Sequence, residues 1–283
     1  MVYRVIQISD THLGVAKPFF VDNFDVVARA LHSAAPDLVV NTGDISLNGA
    51  ELEEDLRQAL ARHVALDLPV RFLPGNHDIG DNQPIARHQP INPERLARYL
   101  SVFGEDRWVI DVPGWRLIGI NALLPDSDLP RAVDQQQFLT EAVASAGDRA
   151  IALFLHKPMF KADPGETEIG GEHLTPVARA RVLSALGDAN LKLVACGHLH
   201  QYRDATFGGV RHIWAPATSF ILSDRFQRVA GIKTVGYVAY DFSPDGGCAV
   251  RLVEPAGLVT NDLVDFPEAY GDLNKIMAHR LLA

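Results

Sequence analysis

Short apolar runs alternate along the chain with amphipathic stretches that have the spacing of helices. Five of these runs have the length and composition of buried strands, and they are followed by polar residues. They lie at residues 3–9, 38–42, 70–74, 151–155 and 191–196. The main helical patterns lie at residues 24–35, 51–65, 93–103, 134–145 and 179–186. This alternation predicts an α/β fold.

Strand patterns crowd the last part of the chain, from residue 202 to residue 253. Gly208-Gly209 and the segment 244–247 are turn signals that divide these patterns into hairpins. Pro113-Gly114 is a further hairpin signal, between the strand patterns 108–112 and 115–122. Because strands accumulate at the end of an α/β chain, we expect a second sheet packed on the first.

Each of the five runs ends in side chains that can bind a metal ion. The clusters are Asp10-Thr11-His12, Gly43-Asp44, Gly75-Asn76-His77-Asp78, His156 and Gly197-His198-Leu199-His200. By itself, the third cluster would be an ordinary turn. In an extended segment, residues two apart point to the same side, so Asp10 with His12 and His198 with His200 can each aim two ligands at one point. The set exceeds what one four-coordinate ion needs and suits two ions that share a carboxylate.

The order and spacing of these clusters resemble the five-block signature of the calcineurin-like metallophosphoesterases. The Gly75-Asn76-His77-Asp78 variant is most similar to that of bacterial class III cyclic-nucleotide phosphodiesterases and glycerophosphodiesterases. The resemblance implies a four-layer αββα sandwich, in which two mixed β-sheets pack face to face between layers of helices. It extends over about residues 3–253, so we expect a catalytic domain at 1–255 and a C-terminal arm at 256–283.

The resemblance also implies roles for the residues of the site. One metal ion would be held by Asp10, His12, Asp44 and His200, and the other by Asp44, Asn76, His156 and His198, with Asp44 as the bridge. His77 would protonate the departing oxygen, and Asp78 would orient its imidazole. The two divalent or trivalent ions would be Mn, Fe, Zn or Co rather than Ca, because the ligands include several imidazoles.

The implied activity is the hydrolysis of small phosphodiesters, of the 3',5'-cyclic nucleotide or glycerophosphodiester type, by a hydroxide that bridges the two ions. The alternatives are a broad-specificity phosphomonoesterase, a nuclease and a non-catalytic scaffold. A scaffold should have lost ligands, whereas this chain retains every position. The formal net charge of -9 argues against a nucleic-acid polymer as partner, because proteins that bind one usually carry a basic face.

Substrate contacts are expected from loops beside the site. Arg87 and His88, in the loop 79–92, could touch a substrate phosphate or base or could lie in solvent. Lys157 stands where many relatives carry a second histidine, and it could pair with phosphate or face solvent. His173, in the loop 161–175, could also touch the substrate.

The length and composition of the chain bear on its location and assembly. With 283 residues of which 47% are hydrophobic, it can form one globular unit. Cys196 and Cys248 are the only cysteines, strand character begins at Tyr3, and no apolar run reaches about 18 residues, so we expect a soluble, cytoplasmic protein without a membrane partner. His32 and His63, on two predicted helices, are expected to have no role in the site.

The arm is rich in apolar residues, and we expect a dimer built partly from it. These residues are Leu258, Val259, Leu263, Val264, Phe266, Ile276, Met277, Leu281 and Leu282.

Overall fold

The structure is a computed structural model that describes residues 1–82, 85–86, 89–271 and 273. Its strands, numbered along the chain, are β1 (Tyr3–Ile8), β2 (Leu38–Asn41), β3 (Val70–Phe72), β4 (Trp108–Val112), β5 (Trp115–Gly119), β6 (Ala150–Phe154), β7 (Leu191–Cys196), β8 (Arg203–Phe207), β9 (Val210–Trp214), β10 (Phe220–Ile221), β11 (Tyr237–Phe242), β12 (Cys248–Val253) and β13 (Asn261–Asp262). Its helices are α1 (Val21–Ala34), α2 (Glu53–Val64), α3 (Asn76–Ile79), α4 (Pro93–Phe103), α5 (Pro130–Ala144), α6 (Pro176–Leu186) and α7 (Pro267–Tyr270).

Two mixed sheets hold most of these strands. The first has the order β12-β11-β1-β2-β3, in which β1, β2 and β3 are parallel and β11 runs antiparallel to β1. The second has the order β4-β5-β6-β7-β9-β8, in which β5, β6, β7 and β9 are parallel and the two edge strands are antiparallel to their neighbours. Because parallel strands end at the same edge, the loops that follow β1, β2 and β3 meet, as do those that follow β6 and β7.

Three apolar layers give the αββα sandwich that the resemblance implied. Between the sheets, side chains such as Val40, Trp115, Phe154 and Tyr240 form one buried cluster. A second cluster joins the outer face of the first sheet to α1, α2 and α4. A third joins the outer face of the second sheet to α5 and α6. The predicted fold class is confirmed, and no helix within the described ranges is long and apolar enough to cross a membrane.

The sequence located the helices well, but three of them start earlier than predicted. α1 begins at Val21 rather than residue 24. α5 begins at Pro130 rather than residue 134, and α6 begins at Pro176 rather than residue 179. Proline suits the first position of a helix because its missing N–H would have no partner there. Thr175 also caps α6 by accepting a hydrogen bond from the N–H of Ala178 at 3.1 Å. The sequence also predicts a helix from about residue 273 to residue 282, which lies almost wholly outside the described residues.

The described part of the arm packs on its own chain. β13 pairs in parallel with β10. The side chain of Asn23 donates to the carbonyl of Val259 at 2.8 Å and accepts from its N–H at 2.9 Å. Leu263 is buried in an apolar cluster with Phe20 and Phe220. Part of the apolar surface that suggested a dimer is therefore covered within one subunit, and the dimer stays a prediction.

Candidate metal centre

The five predicted clusters converge at the edge where the strands of both sheets end. In the described part of the chain, three groups of side chains bring their nitrogen and oxygen atoms within 4.8 Å of one another. The groups are Asp10 with His12 and His200, His12 with Asp44 and His77, and Asp44 with His156 and His198. His12 and Asp44 each belong to two groups, so the three form one continuous set with Asp44 in the middle.

Short contacts between potential ligand atoms define the two halves of this set. In the first half, Nε2 of His200 lies 3.3 Å from Oδ1 of Asp10 and 3.3 Å from Nε2 of His12. Nε2 of His12 lies 3.9 Å from Oδ2 of Asp44. These are the side chains that the resemblance assigned to the first metal ion.

In the second half, Nε2 of His156 lies 3.4 Å from Oδ2 of Asp44, 3.3 Å from Oδ1 of Asn76 and 3.1 Å from Nδ1 of His198. These four side chains are the ones that the resemblance assigned to the second metal ion. The structure therefore brings together all seven residues that the sequence predicted as metal ligands.

Backbone carbonyls set the orientation of three histidines. Nδ1 of His156 lies 2.9 Å from the carbonyl of Thr42, Nδ1 of His200 lies 2.7 Å from that of Phe220, and Nε2 of His198 lies 2.7 Å from that of Gly171. A carbonyl only accepts a hydrogen bond, so each of these nitrogens carries the proton. The other ring nitrogen points into the site and, when the ring is neutral, presents a lone pair there, as metal-binding histidines do.

The residues fit a bound cation. Oδ1 of Asp10 is buried and has no hydrogen-bond partner among the described residues. The nearby Nε2 of His200 is not a donor in the neutral ring, because the proton is on Nδ1. Buried polar atoms ordinarily have partners. A carboxylate oxygen and a lone pair that face each other this closely are satisfied by a positive ion between them.

The pKa values of the aspartates favour the charged form. Burial alone would raise the pKa of Asp10, but attraction to His200 outweighs it and the pKa is lowered. For Asp44, the opposing effect of burial is likewise outweighed by His156 and His77, and the pKa falls well below its usual range. Both carboxylates are therefore ionised at neutral pH, which is the form that binds metal.

The histidines separate into two classes. Burial and the neighbouring His77 hold the pKa of His12 well below its usual range, and burial together with His156 lowers that of His198 to about 3. For His156, attraction to Asp44 outweighs the effect of burial and raises the pKa to about 9. A metal ion at Nε2 of His156 would therefore displace a proton, whereas His12 and His198 are already neutral.

Five of the seven predicted ligands have a left-handed backbone. The φ angles are 52° for Asp10, 45° for His12, 49° for Asp44, 70° for His198 and 52° for His200. Residues other than glycine rarely adopt this conformation, which costs on the order of 1 kcal/mol or more per residue. The expectation that Asp10 and His12, or His198 and His200, converge because the chain is extended is therefore wrong. The pairs converge through tight turns.

Two glycines allow the loops to approach one another. A Cβ on Gly75 would lie 2.1 Å from both the backbone nitrogen and Oδ1 of Asp44. A Cβ on Gly197 would lie 1.9 Å from Oγ of Ser9 and 2.6 Å from Oδ2 of Asp10. Glycine thus stands in these clusters because any side chain would displace Asp44 or Asp10, two of the predicted ligands.

Asp78 has a different role from the one predicted for it. Its carboxylate accepts hydrogen bonds from the N–H groups of Gly75 at 2.8 Å, Ile45 at 3.1 Å and Ser46 at 2.9 Å, and from Oγ of Ser46 at 2.6 Å. None of these donors is the imidazole of His77. Asp78 therefore fastens the loop of Asp44 to α3, and its expected function of orienting that imidazole is wrong. Burial and repulsion from Asp44 raise the pKa of Asp78 to about 6.

His77 lies on the open side of the set. Its side chain is 26% exposed, and its Nε2 lies 4.0 Å from Oδ2 of Asp44. Its backbone N–H donates to Oδ1 of Asp44 at 2.8 Å. The ring contacts those of His12 and Tyr270, with centroid distances of 4.9 and 4.6 Å.

Two of the predicted substrate contacts are buried. The ammonium group of Lys157 is hydrogen-bonded to the carboxylate of Asp81, and its side chain is fully buried, so it neither faces solvent nor is free to bind phosphate. Nδ1 of His173 donates to the carbonyl of Leu174 at 2.9 Å, and its Nε2 lies 3.6 Å from Oε2 of Glu166. Both residues hold loops in place. Arg87 and His88 lie outside the described residues.

Sequence reasoning missed two residues that support the ligands. His63, expected to be ordinary, is fully buried, and its Nε2 lies 3.0 Å from Nδ2 of Asn41. Oδ1 of Asn41 accepts from the N–H of Gly43 at 3.1 Å. Tyr270, in the arm, places its hydroxyl 2.5 Å from Nδ1 of His12. The sequence held a signal for the contact of His63, because Asn41 is a polar residue at the end of the apolar strand β2. No local feature of the sequence indicated the contact of Tyr270 with His12.

Comparison with known proteins identifies the family. The model for the calcineurin-like phosphoesterases matches residues 3–202. A probable glycerophosphodiester phosphodiesterase, GpdQ from Arcobacter nitrofigilis, is 27% identical over 212 residues, which cover 70% of this chain and 71% of the relative. The 3',5'-cyclic adenosine monophosphate phosphodiesterase CpdA from Escherichia coli is 27% identical over 233 residues, 76% of each chain.

A solved structure shows the same fold at low identity. Purple acid phosphatase PPD1 from yellow lupin superposes with a TM-score of 0.66 and 14% identity, covering 93% of this chain and 53% of its own. A match of this identity bears on the fold alone. The family match covers more than half of the chain and includes every predicted metal ligand. The chain therefore belongs to the calcineurin-like phosphoesterase family and is a hydrolase of phosphoesters.

Proposed function

We propose that this protein is a phosphodiesterase that uses two metal ions to hydrolyse small phosphodiesters, of the 3',5'-cyclic nucleotide or glycerophosphodiester type. The observation that carries the proposal is the position of Asp44, whose carboxylate lies between two groups of mostly buried potential ligand atoms. A carboxylate shared in this way is the usual bridge of a two-metal site. The two relatives named above, which act on diesters of these types, support the choice of substrate class.

The ligand sets follow from the contacts. Asp10, His12 and His200 would hold one ion with Asp44, and Asn76, His156 and His198 would hold the other with Asp44. When bound, such ions neutralise phosphoryl oxygens as negative charge develops and lower the pKa of water. Most of the ligands are buried, so the phosphoryl group has to approach from the side of Asn76, His77 and His198, which are partly exposed.

His77 is proposed as the acid that protonates the leaving group. It is the partly exposed imidazole beside Asp44, and it lies 4.0 Å from that carboxylate without belonging to either ligand set. An alkoxide such as a ribose or glycerol oxygen leaves poorly without a proton, whereas nitrophenolate leaves readily. The benefit of an acid at this position therefore depends on the leaving group.

His77→Ala tests this role. We expect the variant to retain its metal ions but to lose on the order of 100- to 10,000-fold in kcat on a cyclic-nucleotide or alkyl diester, the range typical of general acids. On a nitrophenyl ester the loss should be much smaller. An equal loss on both substrates, with unchanged metal content, would show that His77 acts by positioning or by its charge instead.

The substrate class and the metal are tested separately. Purified protein would be assayed against cyclic nucleotides, glycerophosphodiesters and phosphomonoesters. Preference for a monoester would favour the alternative, a broad-specificity phosphomonoesterase. Metal-free protein would then receive Mn, Fe, Zn or Co one at a time, and full activity after exhaustive chelation would contradict the two-metal proposal. A cytoplasmic location stays a prediction from the sequence.

A further inference from the structure

The C-terminal arm places one tyrosine against the metal centre. Tyr270, the last residue of α7, lies with its hydroxyl 2.5 Å from Nδ1 of His12 and 3.0 Å from the carbonyl of Leu47. Its ring packs beside that of His77, with a centroid distance of 4.6 Å. One side chain of the arm thus contacts both a proposed metal ligand and the proposed acid.

The hydrogen bonds of this hydroxyl determine its direction. The carbonyl of Leu47 can only accept, so Tyr270 donates its proton there. The oxygen of Tyr270 is then left to accept from His12, and Nδ1 of His12 has to carry a proton. In the neutral ring, Nε2 of His12 therefore presents its lone pair toward His200 and Asp44.

His12 differs in this respect from the other histidine ligands. The rings of His156, His198 and His200 are held by the backbone carbonyls of Thr42, Gly171 and Phe220. All three carbonyls precede residue 255, within the region expected to form the catalytic domain. Nδ1 of His12 donates instead to a side chain in the arm, the hydroxyl of Tyr270. With this contact from the arm, each of the four predicted histidine ligands has one ring nitrogen hydrogen-bonded to an oxygen atom.

An apolar anchor holds α7 over the site. Leu263 and Ala269 are buried in a cluster with Phe20, Leu47 and Phe220. The ring of Phe220 lies 4.8 Å from that of His12, and its carbonyl accepts from Nδ1 of His200 at 2.7 Å. The cluster that holds the arm and the shell around the first metal ion therefore share Phe220. Displacement of the arm would therefore disturb Phe220 and, through it, the positions of His12 and His200.

We propose that the C-terminal arm is part of the metal centre and that Tyr270 is a positioning residue, which fixes the tautomer and orientation of His12 and supports the ring of His77. The inference rests on the proposed function, because it needs a metal ion at His12. Partners of this kind typically change metal affinity by 10- to 100-fold when removed.

Tyr270→Phe is the direct test, since it removes the hydroxyl and keeps the ring. Metal-free protein would be titrated with Mn²⁺ by calorimetry. We expect the wild type to bind two ions and the variant to bind one of them about 10- to 100-fold more weakly, with the other unchanged. Tyr3→Phe, a loss of one hydroxyl in β1, is the matched control and should bind as the wild type does.

A double-mutant cycle separates positioning from a general loss of structure. In a His12→Ala background, Tyr270→Phe should cause no further loss of Mn²⁺ affinity, because its partner is absent. Tyr270→Ala also removes the ring beside His77. It should therefore lower the rate on an alkyl diester more than on a nitrophenyl ester, whereas Tyr270→Phe should leave that ratio unchanged.

The outcomes distinguish the inference from the proposed function. Wild-type affinity for both ions in Tyr270→Phe, or an equal loss with and without His12, would overturn the positioning role while leaving the two-metal site intact. Failure of the wild type to bind two ions would contradict the proposed function itself and, with it, the inference.

Discussion

A buried histidine should make the loop of Asp44 sensitive to acid. His63 lies within α2, where its Nδ1 donates to the carbonyl of Ala59 at 2.7 Å. Its Nε2 therefore accepts from Nδ2 of Asn41 at 3.0 Å, and Oδ1 of Asn41 accepts from the N–H of Gly43 at 3.1 Å. Protonation would turn Nε2 of His63 into a donor. It could then no longer accept the hydrogen bond from Nδ2 of Asn41, and two donors would face each other. This chain of hydrogen bonds would then break beside Asp44.

The size of the effect follows from the pKa. Burial lowers the pKa of His63 from 6.5 to about 4. Because the folded pKa is the lower one, the unfolded chain binds the proton first. The stability from the neutral ring is complete above the unfolded pKa and is lost as the pH falls toward the folded pKa. This difference between the folded and unfolded pKa contributes about 3 kcal/mol to the free energy of unfolding when the ring is neutral in both states. About 2 kcal/mol of that contribution is lost by pH 5.

Urea unfolding of metal-free protein at pH 7 and pH 5 measures this loss. His63→Gln removes the titrating ring and should lose about 2 kcal/mol less than the wild type between the two pH values, although it starts from a lower stability at pH 7. His32→Gln, an exposed position on α1, should behave as the wild type does. If the wild type and His63→Gln lost equal stability, the buried ring would not be the acid-sensitive group.

Two further predictions concern the second ion and the assembly. Asn76→Ala removes an oxygen 3.3 Å from Nε2 of His156, so it should lower the content of one metal ion and slow alkyl and nitrophenyl substrates alike. Unchanged metal content by elemental analysis would exclude Asn76 as a ligand. We also expect a dimer in light scattering at micromolar concentration, because Val259 and part of the arm remain exposed. A monomer at that concentration would contradict the prediction.

The sequence predicted the positions of the ligands because each follows an apolar run that ends at a shared edge. A change from apolar to polar residues at the end of a strand is a local signal, and five such signals in order are specific. The backbone conformation was not predictable in the same way. Nothing in the residue types of His12 or His200 indicates a positive φ, which arises from the contacts between loops.

Polar residues whose partners are distant were interpreted least well. Lys157 and Asp78 are charged residues beside predicted metal ligands. From the sequence, Lys157 could pair with phosphate or face solvent, and the resemblance implied that Asp78 orients His77. In the structure, each is paired with groups far along the chain, Lys157 with Asp81 and Asp78 with the loop of Ser46. Burial of a charge is expensive without such partners, but the partners become visible only after the chain has folded.

The contacts around the four histidine ligands explain how strained turns can form a defined site. The turns that carry the ligands have unfavourable φ angles, so they persist only where the surrounding structure determines them. Each ring is held at its outer nitrogen by a different segment, at Thr42, Gly171, Phe220 and Tyr270. Orientation and tautomer are then set by the fold before metal binds, which reduces the ordering that binding itself requires. Because one of these four segments is the arm, we expect the metal centre to depend on residues beyond the catalytic domain that the resemblance predicted.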